Sequence, residues 1–352
     1  MGDVSETVTE STISEVLRGG VATGVGSWPG TDAREAAATV VGELTDLAHL
    51  AELPARGVGA DMIGRSSALL VDLRFDTSTR GYRLAARPGA VSRRAHDLLR
   101  GDLDALEEVW ETTGSAGTGR VIKLQATGPL TLAAEAELPV GHRVLTDSGA
   151  VRDLSESLAE GLNQHVAEVA KRLNARVVLQ LDEPSLGDVL EGSLRGVSVL
   201  DTVRAVPAPE ALAILDSVIE AQSVPVLVHT CAARPPVHFL RGSQAAAIGF
   251  DLSTIATRDL DALGESLDAG KRLVLGLVPT TAPTTSPTWR DLAEPGVRLI
   301  DRLGFPRSAL RDVLVSPACG LGGAPLGWAR KALELATEVS RAFAEDPESL
   351  DF

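Results

Sequence analysis

The chain has 352 residues, 44% of them hydrophobic and 23% charged, with a formal net charge of −15. That is enough apolar material for a sizeable core in one large domain or two, and it excludes global disorder. The negative charge opposes nucleic-acid and anionic membrane surfaces, and an aromatic content of 3% leaves little for base stacking, so we expect small-molecule substrates, no nucleic acid and no membrane.

Residues 1–20 read as a polar, acidic leader without the apolar core of a signal peptide, which points to the cytoplasm. No later apolar run reaches the roughly 20 residues of a membrane span. Val21 to Pro29 predicts a short strand breaking at Gly26-Ser27. Thr31 or Asp32 then caps a helix whose Ala37, Val40, Val41, Leu44, Leu47 and Ala48 follow the 3,4 period. The next strand falls at 57–63 or, more apolar, at 68–75. Residues 76–118, rich in Arg and Asp, read as an insertion or irregular connection.

Val121 to Gly128 resumes the strand pattern, followed by a long amphipathic helix marked by Val151, Leu154, Leu158, Leu162, Val166 and Val169. Ala175 to Pro184 is a buried strand ending in Asp182-Glu183, and 207–222 a helix. Strands follow at 224–231, 245–251, 272–278 and 313–316, with helices near 260–267, 289–303 and 329–342. About eight strands alternating with helices predict a single α/β domain over 21–352, a (β/α)8 TIM barrel. A doubly wound open sheet is the alternative, but no Gly-rich dinucleotide fingerprint follows the first strand.

In a barrel the C-terminal strand ends share the catalytic face. Here they carry Gly26-Ser27, Gln125-Thr127, Asp182-Glu183, His229-Cys231, Asp251 and Cys319. His229 and Cys231, at i and i+2, project to one face of a strand, and Cys319 ends another apolar run. One His with the chain's two cysteines is a tight-binding zinc set with a position left for a weaker ligand or substrate. The two cysteines can also pair, but beside a His they read more naturally as thiolates in a reducing compartment. Plainer readings stand beside these: a core histidine and a buried cysteine, a capping carboxylate in Asp182-Glu183-Pro184, a cap or loop residue at Asp251, and a flexible turn at Gly320–Gly323. His49, His96, His142, His165 and His238 read as surface or packing residues.

Val25-Gly-Ser-Trp-Pro29, Gly128-Pro-Leu-Thr131, Gln180-Leu-Asp-Glu-Pro-Ser-Leu186, Val228-His-Thr-Cys231, Phe250-Asp-Leu-Ser253 and Ser316-Pro-Ala-Cys-Gly-Leu321 resemble, in order, the motifs of the catalytic C-terminal barrel of cobalamin-independent methionine synthase. That family shares a superfamily with uroporphyrinogen decarboxylase and methylcobalamin:coenzyme M methyltransferases. The resemblance implies zinc on His229, Cys231 and Cys319, with Asp251 where the family has Glu. It implies that Gly26 and Ser27 bind the amino-acid end of homocysteine and that Asp182 holds its ammonium; we expect the strand-end carboxylates Asp182 and Glu183 to be catalytic.

The function so implied is methyl transfer to the zinc-activated thiol of homocysteine, giving methionine. The alternatives are a methylcobalamin:thiol methyltransferase with another acceptor and a decarboxylase-like relative. The family's second, N-terminal half finds no room here. Its pterin-stacking tryptophan is replaced by Leu132-Ala-Ala-Glu-Ala, and no histidine follows the seventh strand in Leu277 to Pro283. A corrinoid or a methyl-donor partner protein is therefore expected alongside methyltetrahydrofolate as a possible methyl source.

Overall fold

A computed structural model of the protein describes residues 17, 19–196 and 202–351; most of the expected leader falls outside them. In chain order come α1 (Ala33–Glu43), β1 (Leu47–His49), α2 (Met62–Ser67), β2 (Arg74–Thr77), β3 (Tyr82–Ala85), α3 (Ala90–Thr112), β4 (Val121–Thr127), α4 (Pro129–Glu135) and β5 (Ala136–Glu137). Then follow α5 (Ser148–Leu173), β6 (Arg176–Asp182), α6 (Leu186–Glu191), α7 (Ala208–Glu220), β7 (Val226–Thr230), α8 (Val237–Arg241), β8 (Ala247–Asp251), α9 (Leu260–Asp268), β9 (Arg272–Val278), α10 (Trp289–Leu303), β10 (Leu314–Pro317) and α11 (Leu326–Glu345).

Seven strands form one parallel sheet in the order β1-β4-β6-β7-β8-β9-β10, curled and surrounded by helices. The first predicted strand, Val21 to Pro29, makes only isolated parallel bridges, Ala22 to Val315 and Ser27 to Glu52. On one side Thr23 N donates to Val315 O at 2.9 Å, and on the other Trp28 N donates to Glu52 O at 2.7 Å. The two edges of the sheet thus both bond to one segment. Gly24 and Gly26 interrupt it and Pro29 ends it, which weakens it as a continuous ladder.

Early in the chain the structure corrects the sequence reading. The first helix ends at Glu43, and Leu47–His49 is not its continuation but a buried strand registered on Val121–Lys123. Three apolar or aromatic-sized positions in a row fit either a helix face or a buried strand, and pairing with β4 decides for the strand. Residues 57–63 lie outside the sheet. Arg74–Thr77 is a strand, but of a separate three-stranded sheet, β2-β3-β5. The stretch 76–118 is ordered as the β2–β3 hairpin and the 23-residue helix α3.

The strands' alternation builds the interior in layers. Leu17, Leu47, Val121, Val178, Leu227, Ala247, Val274 and Leu314 pack as a cluster of their own and form its floor. Each Leu or Val there contributes roughly 1.5–3 kcal/mol by burial. Two residues further along the same strands, on the same face, stand His49, Lys123, Gln180, His229 and Ser316, all buried. The alternate residues, such as Ile122, Leu124, Val177, Leu179 and Leu181, belong to the main core cluster. Among the described residues no helix is long and apolar enough to cross a membrane.

Candidate functional site

The polar layer is wired by hydrogen bonds across neighbouring strands. Lys123 Nζ donates to Gln180 Oε1 at 2.6 Å and to Val25 O at 3.0 Å. Gln180 Nε2 donates to Asp182 Oδ1 and to Val25 O, each at 2.8 Å. Asp182 Oδ1 also lies 2.8 Å from His229 Nδ1, and the register sets Asp182 directly opposite His229. His229 is 5% exposed, and its Nε2 is buried with no hydrogen-bond partner among the described residues. Buried polar atoms are rarely left so, and a histidine bonded to a carboxylate through one nitrogen with the other free is the usual state of a metal-ligating imidazole.

Cys231 follows β7 and Cys319 follows β10, and the fold brings their Cα atoms to 5.7 Å. They are joined as a disulfide, where separate thiolates were expected from the sequence. Two cysteine side chains meeting at one strand-end face lie within bonding reach, so proximity alone permits the pair. In this state no group of three or more His, Cys, Asp or Glu that could hold a metal occurs among the described residues.

Asp251 ends β8, where its Oδ1 accepts from Ser253 N at 2.9 Å and Ser253 Oγ at 2.7 Å, capping the short turn Leu252–Thr254. It lines a cavity of about 360 Å³ with Gly276, Thr280, Thr281 and Ala318. Gly276 is a contact point between Asp251 and the cysteine loop. A Cβ there would lie 2.7 Å from Ala318 Cα and 3.2 Å from Asp251 Cα, closer than packed atoms allow.

Gly26 is buried and Ser27 half-buried on the bridging segment. Ser27 Oγ accepts from Gly322 N at 3.2 Å and Ser27 O accepts from Leu321 N at 2.9 Å, tying the segment to the loop after Cys319. Glu183 has both oxygens engaged at the start of α4: Oε1 accepts from Leu130 N at 3.0 Å, and Oε2 from Thr131 N at 2.7 Å and Thr131 Oγ1 at 2.6 Å. It is the capping carboxylate that the sequence admitted, for a helix some fifty positions upstream. Burial pushes its pKa up to about 7 against these donors.

Two site residues escaped the sequence reading. Glu52, bridged to Ser27, has its pKa raised to about 7, chiefly by burial, opposed by Arg65 and reinforced by the Asp182 charge. Arg65 Nε stands 3.5 Å from its Oε1, and Arg65 also pairs with buried Asp102 at 2.6 Å. Lys123, fully buried, is lowered to about 8 by desolvation, against the pull of Asp182 and Glu52. Lys123 had a visible signal, a charge inside the apolar run Val121–Ala126. Glu52 had none once β1 was read as helix. Of the five remaining histidines, His49 and His165 are buried while His96, His142 and His238 are exposed. Burial, with Lys123 nearby, holds the His49 pKa well below its usual value.

Residues 21–342 match the family model described as the catalytic domain of cobalamin-independent synthase. No curated protein matches the chain. Among solved structures, a B12-independent methionine synthase from Shewanella sp. W3-18-1 in complex with selenomethionine is similar over 93% of this chain and 98% of that one, at 11% identity and a TM-score of 0.60. A methyltransferase from Methanosarcina mazei is similar over 96% of this chain and 98% of that one, at 15% identity and a TM-score of 0.55. At such identities the likeness is one of fold.

Proposed function

The chain belongs to the cobalamin-independent synthase family, and on that premise we propose that it is a zinc-dependent methyltransferase that methylates the thiol of homocysteine to methionine. The observation that carries this reading is the buried, unpartnered Nε2 of His229, held by Asp182 through Nδ1, on the strand that leads into Cys231. With Cys231 and Cys319 reduced, the donor set is one imidazole nitrogen and two thiolates, which fits zinc and leaves the fourth position to Asp251 or the substrate sulfur. Zinc bound there would favour the thiolate form of homocysteine at neutral pH.

The remaining roles belong to the chain's own residues. Asp182 and Glu52, whose carboxyl the Asp182 charge helps to hold above its usual pKa, suit the substrate ammonium, and the Gly26-Ser27 turn suits its carboxylate end. Glu183 would serve by holding the Gly128-Pro-Leu-Thr131 turn in place. In the reaction the substrate sulfur forms a bond to the methyl carbon, whose bond to the donor breaks with the electron pair leaving on the donor. The test is to incubate reduced, zinc-loaded protein with homocysteine and a panel of methyl donors. Methionine is expected; zinc binding without methionine from any donor would overturn the assignment of substrate.

A further inference from the structure

Lys123 is 0% exposed, inside the sheet, among His49, Glu52 and Asp182. An ammonium has only donors, so the oxygen of Gln180 must be the atom that faces it at 2.6 Å; a flipped amide would set N–H against N–H. With Oε1 fixed on Lys123, Nε2 of Gln180 turns to Val25 O and Asp182 Oδ1. Asp182 Oδ1 then accepts from both Gln180 and His229 Nδ1. The proton of the imidazole accordingly sits on Nδ1, and Nε2 carries the lone pair.

We propose that Lys123 is a positioning residue that, through Gln180 and Asp182, selects the His229 tautomer whose Nε2 can take up a metal ion. A merely space-filling side chain would need no particular acceptor, and methionine has nearly the length of lysine. The direction of the chain, donor to acceptor from Lys123 to Gln180 and from Gln180 to Asp182, is what makes the charge at its far end informative. The proposal rests on the zinc reading above.

The experiment uses the full chain with its thiols reduced and zinc alone as the probe. Lys123→Met and Gln180→Glu are compared with wild type by chelator competition for zinc and by the ring-nitrogen shifts of His229 in the metal-free protein. Gln180→Glu keeps an oxygen for Lys123 but removes the N–H toward Asp182, so it carries the test if Lys123→Met fails to fold. Zinc affinity is expected to fall roughly 10–100-fold, the usual effect of losing an outer partner of a metal ligand, with His229 shifting from one tautomer to a mixture. Wild-type zinc affinity and an unchanged tautomer in a folded variant would overturn the proposal. If reduced wild type takes up no zinc, the zinc reading fails, and the nitrogen shifts still decide the tautomer control.

Discussion

Asp182 and His229 face each other on the paired strands β6 and β7, joined by a 2.8 Å hydrogen bond through the imidazole Nδ1. The carboxylate that the family resemblance gives to the substrate ammonium is therefore also the partner of a proposed metal ligand. Its Oδ1 is spent on Gln180 and His229, and a substrate would be served by Oδ2.

Asp182→Asn should accordingly weaken both zinc and homocysteine. A charged hydrogen bond in so buried a setting is worth on the order of 1.5–3 kcal/mol. Chelator competition and substrate titration on one preparation separate the two effects. Wild-type zinc affinity in this variant would leave Asp182 with a substrate role alone.

Zinc uptake should depend on the state of the cysteines. Reduced protein is expected to hold about one zinc per chain, as a set of one imidazole and two thiolates would. Oxidised protein should hold none, and Cys231→Ser or Cys319→Ser should lose most retention even when reduced. Metal analysis after gel filtration reads all four cases, and full occupancy in either reduced variant would sink the ligand assignment.

Folding stability should fall as pH rises between about 4.5 and 7. Glu52 and Glu183 have folded pKa values raised from 4.5 to about 7 by burial, so the native state binds more protons than the unfolded chain in that window. Their contribution is fully present below the unfolded value and lost as pH rises through the folded one. Each accounts for roughly 3 kcal/mol at about 1.4 kcal/mol per pKa unit. Glu52→Gln should flatten the slope of melting temperature against pH across this window, and an unchanged slope would contradict the burial argument.

Gly276→Ala should destabilise the fold by about 1–3 kcal/mol, the usual cost of overpacking. The added carbon meets Ala318 Cα at 2.7 Å and Phe250 O at 2.8 Å, both backbone. The strand ends carrying Asp251 and Cys319 must then separate, so zinc affinity should fall together with the melting temperature. Chemical denaturation and chelator competition check the pair.

Methylcobalamin, or a corrinoid on a partner protein, should support methionine formation better than free methyltetrahydrofolate. Where the family's stacking tryptophan is expected, α4 presents Leu132, Ala133 and Ala134, all buried. The loop after β9 offers Thr280 and Thr281 to the cavity beside Asp251 and no histidine. A folate donor needs a platform and a proton for its leaving nitrogen. Matched-concentration kinetics decide, and efficient turnover with the folate would reverse this prediction.

Much of the second half of the chain was legible because its strands are apolar runs bounded by turn residues and its helices keep a 3.6 period. The period and the flanking turn residues of such elements are visible in a short window of sequence. The strand-end positions of His229, Cys231, Asp251 and Cys319 were readable for the same reason. The tertiary structure alone decided the early elements. Leu47–His49 becomes a strand because β4 lies beside it, and Val21 to Trp28 forms bridges rather than a ladder because two sheet edges compete for a glycine-broken segment. It alone also joined Lys123 to His229 through Gln180 and Asp182 and set Glu52 against Ser27. Hydrogen bonds between residues tens of positions apart depend on strand register, and register is a property of the assembled sheet, which no window of sequence contains.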